Sequence, residues 1–352
     1  MNNTPFWQQK ISIGDQEYNR FMAAPLDGIT DSPLRRLIRE FSPEELMMSE
    51  MRHVACVSNE KNKQSLKYEA LEHPLSFQFS ANKVTFIDQA VEKVIESGFK
   101  FINLNCGCPA PTVTKSGSGS ALMANLPLLK ELLLHFVKVI DGRVPFTLKI
   151  RAGYKEKNAI DVAKLAQDCG VVCIMIHPRT QPEGFTSRLD YDLTRKVKEA
   201  VTIPVIFSGN INRFEQAKKT YELTGVDGFM IGRALWGAPW KIREITDAAE
   251  GKSFSIDTAT MLQYAARHLE LNLEHYGPRG FSAFKKQLPQ YIRNIKDAAE
   301  WRGKLLRSMH EDEMRAMLAQ IIIENSIENN PEISESMLIQ NPSSIKTVSP
   351  IL

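Results

Sequence analysis

Apolar residues gather in short runs that recur along this chain. Eight of them are RFMAA (20–24), LMMSE (46–50), LSFQF (75–79), FINLN (101–105), FTLKI (146–150), CIMIH (173–177), VIFSG (205–209) and GFMIG (228–232). Between them lie segments whose apolar positions fall three and four residues apart, such as SPLRRLIREF, NKVTFIDQAVEKVIESG, NLPLLKELLLHFVKVI and FEQAKKTYELTG. Short continuous apolar runs suit strands buried on both faces, and 3.6-residue periodicity suits the helices that cover them. Eight strand–helix units in succession predict an α/β fold, a parallel sheet closed into a (β/α)8 TIM barrel. The opening KISIGDQEYNRF reads as a hairpin turning at Gly14-Asp15, placed before the first barrel strand.

Beyond Trp240 the strand signal stops. TATMLQYAARHLELNLEHY, AFKKQLPQYIRNIKDAAEWRGKLLRS and HEDEMRAMLAQIIIEN carry long helical patterns and predict a C-terminal all-helical domain. The expected organisation is a barrel with its hairpin over 1–245, a helical domain over 252–325 and a flexible tail over 326–352. The tail mixes Ser, Pro and Asn without periodicity.

With 43% hydrophobic and 24% charged residues among 352, the chain is neither collagen-like, coiled-coil nor wholly disordered, and its core needs no disulfide or metal staple. The net charge of +3 says little about partners, but its distribution does. Residues 276–307 hold eight basic side chains against two acidic ones. Arg293, Lys296, Lys304 and Arg307 stand at approximate helical spacing, which predicts one basic helix face. Cys56, Cys106, Cys108, Cys169 and Cys173 form no even framework, and Cys106-x-Cys108 lacks a second pair at zinc spacing, so no metal is expected. A polar opening and the lack of any apolar stretch of ~18 residues lead to the expectation of a reduced, cytoplasmic protein that does not enter membranes.

Barrel enzymes place their chemistry at the C-terminal ends of the strands. Here those ends read Pro25/Asp27, Glu50, Gln78, Asn105 with Cys108, Lys149/Arg151, His177/Arg179, Ser208-Gly209-Asn210 and Gly232-Arg233. The glycines of the last two ends let backbone N–H groups approach an anion, and a helix expected to open after Asn210 would add its positive end, so a phosphate seat is expected there. Lys149 interrupts an apolar run and needs an anionic partner or water; the candidates for the partner are a bound group and a carboxylate such as Glu50. Asn105-Cys106-Gly107-Cys108-Pro109 sets a tight turn that brings Cys108 to the mouth, where a thiol can act as nucleophile or acid; the alternative is a small buried hydrophobe. Gly117-Ser118-Gly119 lacks the third glycine of a dinucleotide fingerprint and reads as a flexible loop beside Cys108. His177, next to Arg179, reads as a cofactor or substrate contact, and the other six histidines as solvated or packed.

In AAPLDGITDSPLRRL (23–37), NLNCGCPAPTVTKSGSGSALM (103–123), LKIRAGY (148–154), IHPRT (176–180), IPVIFSGNI (203–211) and DGFMIGRALWGAPW (227–240), the chain resembles the tRNA-dihydrouridine synthases of bacterial type. These are FMN-dependent enzymes that reduce particular uridines in tRNA. The match spans the whole barrel, and the helical segment around Phe284-Lys285-Lys286-Gln287 and Tyr291 is similar to the family's tRNA-binding domain. The resemblance implies that Cys108 is the proton donor. It implies that Pro25, Leu26, Asp27, Gln78, Lys149 and His177 contact the flavin, and that Ser208, Gly209, Asn210, Gly232 and Arg233 cradle its phosphate. Asn105 and Arg151 would lie near the uracil, and Arg179, Lys286, Arg293 and Lys296 are further expected to bind the substrate. Two positions depart from the family pattern: Pro178 replaces the glycine after the histidine, which removes a backbone donor, and Ser208 replaces an asparagine.

The implied reaction is NADPH-dependent and FMN-mediated. Hydride passes from flavin N5 to C6 of a uracil, in a uridine expected to lie in the D-loop, and Cys108 gives a proton to C5. An ordinary thiol, with a pKa of ~8.5, is mostly protonated at neutral pH and suits that role. The implied partner is tRNA, with neither DNA nor membrane, and the chain is expected to act as a monomer. The rival expectations are an FMN barrel oxidoreductase acting on a free pyrimidine or dihydroorotate, which would not need the basic helical segment, and a non-enzymatic RNA-binding scaffold.

Overall fold

The computed structural model describes residues 5–62 and 64–329. A short hairpin comes first, β1 (Ile11–Ile13) paired antiparallel with β2 (Gln16–Tyr18) around Gly14, whose φ of 65° suits the turn. Each of the eight expected runs then supplies one strand. They are β3 (Phe21–Ala23), β4 (Met47–His53), β5 (Leu75–Ser80), β6 (Phe101–Cys106), β7 (Phe146–Gly153), β8 (Cys173–Thr180), β9 (Val205–Ser208) and β10 (Gly228–Ile231). All eight are parallel, in the order β3-β10-β9-β8-β7-β6-β5-β4, and Ala23 N–H donates to Leu46 O at 3.0 Å across the remaining seam. The sheet is thus a nearly closed barrel.

Around it run α1 (Ser32–Phe41), α2 (Val54–Asn59), α3 (Ile87–Glu96), α4 (Pro111–Thr114), α5 (Leu126–Ile140), α6 (Ala159–Asp168), α7 (Tyr191–Ala200), α8 (Phe214–Thr224) and α9 (Lys241–Ala249). The local sequence explains them. In α5, Asn125 accepts from Leu128 N–H, Pro127 sits in the first turn, and Leu129, Leu132, Leu133, Phe136 and Ile140 form one buried stripe. Inside the barrel, Met22, Met48, Met175, Ile206 and Met230 pack with Ile11, Ile13 and Tyr18 of the hairpin. The N-terminal end is therefore filled, and open space remains at the other end.

The C-terminal helices are α10 (Thr258–Tyr276), α11 (Arg279–Tyr291), α12 (Ala298–Arg307) and α13 (Glu311–Asn329). Their core also takes in Leu37, Phe41 and Trp240 from the barrel side. Two expectations need correction. The run through 284–307 is not continuous: Pro289 lies in the last turn of α11, Ile292 turns into the core, and Asp297 adopts a φ of 52° before α12 begins. Arg293 and Lys296 therefore stand in a break, and share no helix face with Lys304 and Arg307. The tail was also expected from 326, whereas α13 continues to Asn329; the rest of that segment, 330–352, lies outside the described residues. Among the described residues no helix is long and apolar enough to cross a membrane.

Candidate active site

At the C-terminal ends of the strands lies a cavity of ≈ 1010 Å³. Its walls include Pro25, Leu26, Asp27, Gln78, Asn105, Cys108, Lys149, Arg151, His177, Ser208, Gly209, Asn210, Gly232 and Arg233, with Arg293 reaching the rim from beyond α11. Residues spread over more than 200 positions of sequence thus meet at one opening because each lies within a barrel strand facing the cavity or in the loop that follows one.

Cys108 is mounted by hydrogen bonds rather than packed away. Asn105, at the end of β6, accepts from Gly107 N–H at 3.0 Å and Cys108 N–H at 2.8 Å. Its amide donates to Gln78 at 2.9 Å, Gln78 donates to Asn103 at 2.8 Å, and Asn103 donates to Thr147 at 2.8 Å. Thr147 then donates to Ile102 O at 3.3 Å. This column of buried amides runs in one direction from the loop into the barrel, and each bond polarises the next. From the other side Ser120 N–H and Oγ–H both donate to Cys108 O at 3.0 Å. The Gly117-Ser118-Gly119 segment is therefore part of the mount rather than a flexible loop: a Cβ at Gly119 would stand 2.8 Å from Cys108 O. Cys106, two residues earlier, is fully buried, and burial raises its thiol pKa far above the ordinary value.

β7 carries two cations, Lys149 in its middle and Arg151 nearer its end. Lys149 has no carboxylate or hydrogen-bond partner among the described residues, and burial together with nearby Arg151 lowers its pKa to about 8, against the opposing influence of Cys108. The alternative partner, Glu50, is otherwise engaged: it accepts from Gly28 N–H at 2.7 Å and pairs with Arg52 at 3.1 Å. Arg151 binds Gly107 O at 2.7 Å and Thr180 O at 3.0 Å, so it ties the Cys108 loop to the loop after β8. Burial pushes its guanidinium down to about 10. His177 Nδ1–H donates to Ser208 O at 2.6 Å, which leaves Nε2 as an acceptor, and Nε2 is buried without a partner. Burial first, then Lys149 and Arg151, hold this imidazole neutral, with a pKa of about 3.

The seventh and eighth ends, expected as a phosphate seat, both line the cavity, with one difference from the expectation. β9 stops at Ser208 but α8 begins only at Phe214, so Ser208-Gly209-Asn210 stands in a loop rather than at a helix terminus, whereas Gly232 directly precedes a single 3-10 turn, Arg233–Leu235. Asn210, at φ 51°, accepts from Arg233 at 2.9 Å. Three expected contacts do not line the cavity. Arg179 is buried behind the wall, its Nε–H spent on Ser187 O at 2.7 Å, because β8 runs on to Thr180. Lys286 and Lys296 are exposed outside it. The structure adds residues the pattern did not single out. Asn103 and Thr147 are buried polar positions two residues before Asn105 and Lys149 on the same strands, a signal present in the alternation of FINLN and FTLKI. Phe185, on the loop before α7, is exposed at the mouth, 5.4 Å from Arg151 and 5.1 Å from Arg233. No periodicity marks it.

These residues fit a flavin mononucleotide. Five of the six charged side chains lining the cavity are cationic, Asp27 being the exception, which suits a phosphate and an electron-rich ring edge. The unpartnered Lys149 and the orphaned His177 Nε2 offer one donor group and one acceptor. The volume is at the upper end of the ~300–1,000 Å³ of single-ligand pockets, which leaves room for a base beside the cofactor.

Residues 22–327 match the family model described as dihydrouridine synthase. The chain is 33% identical over 313 residues to tRNA-dihydrouridine synthase B of Pseudomonas aeruginosa, covering 87% of this chain and 93% of that protein. It is 31% identical to a probable tRNA-dihydrouridine synthase 1 of Synechocystis, covering 91% of each. Among solved structures, an old yellow enzyme homologue from Zymomonas mobilis superposes with a TM-score of 0.54 at 12% identity, over 72% of this chain and 95% of that one. Histamine dehydrogenase from Rhizobium gives 0.53 at 11% identity, over 76% and 51% respectively. At such identities the structural likeness speaks of the fold.

Proposed function

This chain belongs to the dihydrouridine synthase family, and on that premise we propose that it reduces a uridine of tRNA, in the D-loop, to 5,6-dihydrouridine, with FMN as cofactor and NADPH as reductant. The observation that carries the reading is the mounting of Cys108: a sulfur held at the rim of a cationic cavity by its own loop's backbone, opposite an unpaired lysine. FMN, when bound, supplies the hydride that saturates C6 of the pyrimidine and is replenished from NADPH. Cys108 gives its proton to C5, and solvent restores it. Lys149 would hold the electron-rich part of the cofactor with its ammonium, and Arg151 keeps the Cys108 loop and the loop after β8 in register. His177, locked as the Nδ1–H tautomer, would accept at Nε2 from a donor of the bound group.

A uridine in folded RNA must leave its stack to reach this depth. Phe185 offers an aromatic face at the opening on which a splayed base can rest. Outside it, Arg279, Lys286, Arg293, Lys296 and Arg307 have no carboxylate partner among the described residues, whereas Arg267 on α10 and Arg315 on α13 are paired with Glu40 and Glu270. Arg293 stands at the cavity rim, and the unpaired cations of this part of the chain support a polyanion as partner; the substrate implies a cytoplasmic enzyme.

The test separates the two half-reactions. Cys108→Ala is expected to retain FMN and its reduction by NADPH, while uridine reduction in tRNA falls by about 10²–10⁴-fold, the usual contribution of a positioned acid. Stopped-flow flavin absorbance with and without tRNA reads both. Undiminished tRNA turnover would remove Cys108 from the mechanism, and reduction of free uracil at rates comparable to tRNA would favour a small-molecule oxidoreductase.

A further inference from the structure

The first cofactor loop of the barrel is held both by the barrel and by the helical domain. Residues 24–31, between β3 and α1, carry Pro25, Leu26 and Asp27 into the cavity. The loop is a tight turn: Leu26 N–H donates to Thr30 Oγ1 at 2.7 Å, Thr30 N–H returns to Leu26 O at 2.9 Å, and Gly28 takes a φ of 73°. Both Cδ atoms of Leu26 lie 3.9 Å from where a Cβ on Gly232 would stand, so this loop leans on the phosphate seat. From the barrel side, Glu50 accepts from Gly28 N–H at 2.7 Å and Arg52 reaches Asp27 at 3.3 Å.

The second hold comes from the helical domain. Gln287 of α11 donates to Ile29 O at 3.1 Å, and Tyr276 at the end of α10 donates to Asp31 at 3.3 Å. Gln287 is buried, and its Oε1 has no partner, so its one hydrogen bond is the one to the loop. A buried amide placed so costs free energy unless that bond is made. Nothing about helix packing requires a glutamine there, since its neighbours Phe284, Leu288 and Tyr291 form an apolar core. The sequence thus spends a polar side chain of the helical domain on a backbone oxygen two residues from the cavity wall.

We propose that Gln287 and Tyr276 are positioning residues for the cofactor: the helical domain clasps the Leu26–Thr30 turn and so sets the affinity of the barrel for FMN. The inference rests on the cofactor in the reading above but not on its RNA substrate. Cofactor retention then depends on a domain that contributes neither Cys108 nor the phosphate seat.

Two full-length variants test it, Gln287→Leu alone and with Tyr276→Phe. Leu318→Ala serves as a control, since Leu318 is buried in the same helical core on α13. FMN dissociation constants come from quenching of flavin fluorescence on titration of the apoprotein, and thermal melts report folding. The expected result is a 5- to 20-fold rise in the FMN dissociation constant for the double variant, a smaller rise for Gln287→Leu, and no change for Leu318→Ala despite its lower melting temperature. Unchanged FMN affinity in a folded double variant overturns the proposal, as does an equal loss in Leu318→Ala, which would make the effect one of general stability. Wild-type protein that binds FMN but reduces no tRNA would overturn the substrate reading and leave this one standing. Wild-type protein that takes up no FMN would overturn both.

Discussion

Asp31 shows how much one side chain is asked to do. Its carboxylate caps α1 by accepting from Leu34 N–H at 3.2 Å and faces Tyr276 across the interface. Burial first, then the charge of Glu50, push its pKa up to about 7. In the unfolded chain an aspartate titrates at about 3.9. The folded state therefore holds a proton that the unfolded state has lost across that interval. The stabilising contribution of the residue is complete below about pH 4 and gone once the pH has risen through about 7. Asn is as good an N-cap as Asp, so Asp31→Asn should keep the cap and remove the titration. We expect the variant to be more stable than wild type at pH 8, on the order of a few kcal/mol, with the gap closing toward pH 5; urea denaturation at the two pH values measures it. A variant that is less stable at pH 8 would mean that the carboxylate is ionised and useful in the fold.

Between α11 and α12 the chain makes an element with no regular structure of its own. Arg302 donates to Ile292 O at 2.6 Å, which satisfies a carbonyl freed by the end of α11, and Arg293 and Lys296 project from the break. If RNA lies there, Arg293→Glu with Lys296→Glu should weaken tRNA binding and flatten its salt dependence by about 0.7–0.9 per lost phosphate contact in a log–log plot. Filter binding from low to moderate salt measures the slope, and an unaltered slope would place the RNA elsewhere. The break also marks where periodicity misleads. Apolar residues at 284, 288, 291, 292 and 295 keep near-helical spacing through the interruption, and only Pro289 signals that the backbone will not follow. The strands were legible because burial on both faces writes itself as an uninterrupted apolar run. Their terminal residues were legible for the same reason, since Lys149 and His177 are polar exceptions in such runs. Arg179 misled because β8 extends past His177, which turns an apparent strand end into wall. Phe185 and the close approach at Gly119 were not legible, because loops carry no repeat and a glycine looks alike whether it confers freedom or tight contact.

Taken whole, the molecule has more than one apolar core, but its two larger parts do not divide cleanly. Leu37, Phe41 and Trp240 are covalently barrel residues and belong to the apolar cluster of the helical part. Ion pairs Arg36–Glu274 at 3.1 Å and Arg267–Glu40 at 2.6 Å border the same contact, although at such exposure each adds little. Phe41→Ala should therefore cost about 3–5 kcal/mol and lower a single melting transition followed alike by aromatic and far-ultraviolet circular dichroism. Two separated transitions would show that the parts unfold independently. The column from Ile102 through Thr147, Asn103, Gln78 and Asn105 has a comparable reach, because it fastens an outer loop to the innermost layer of the sheet. The amide protons of Gly107 and Cys108 lie on a surface turn, where deuterium ordinarily replaces hydrogen quickly. Here they can be released only when the interior itself opens, so their replacement should be as slow as that of the strands beneath them.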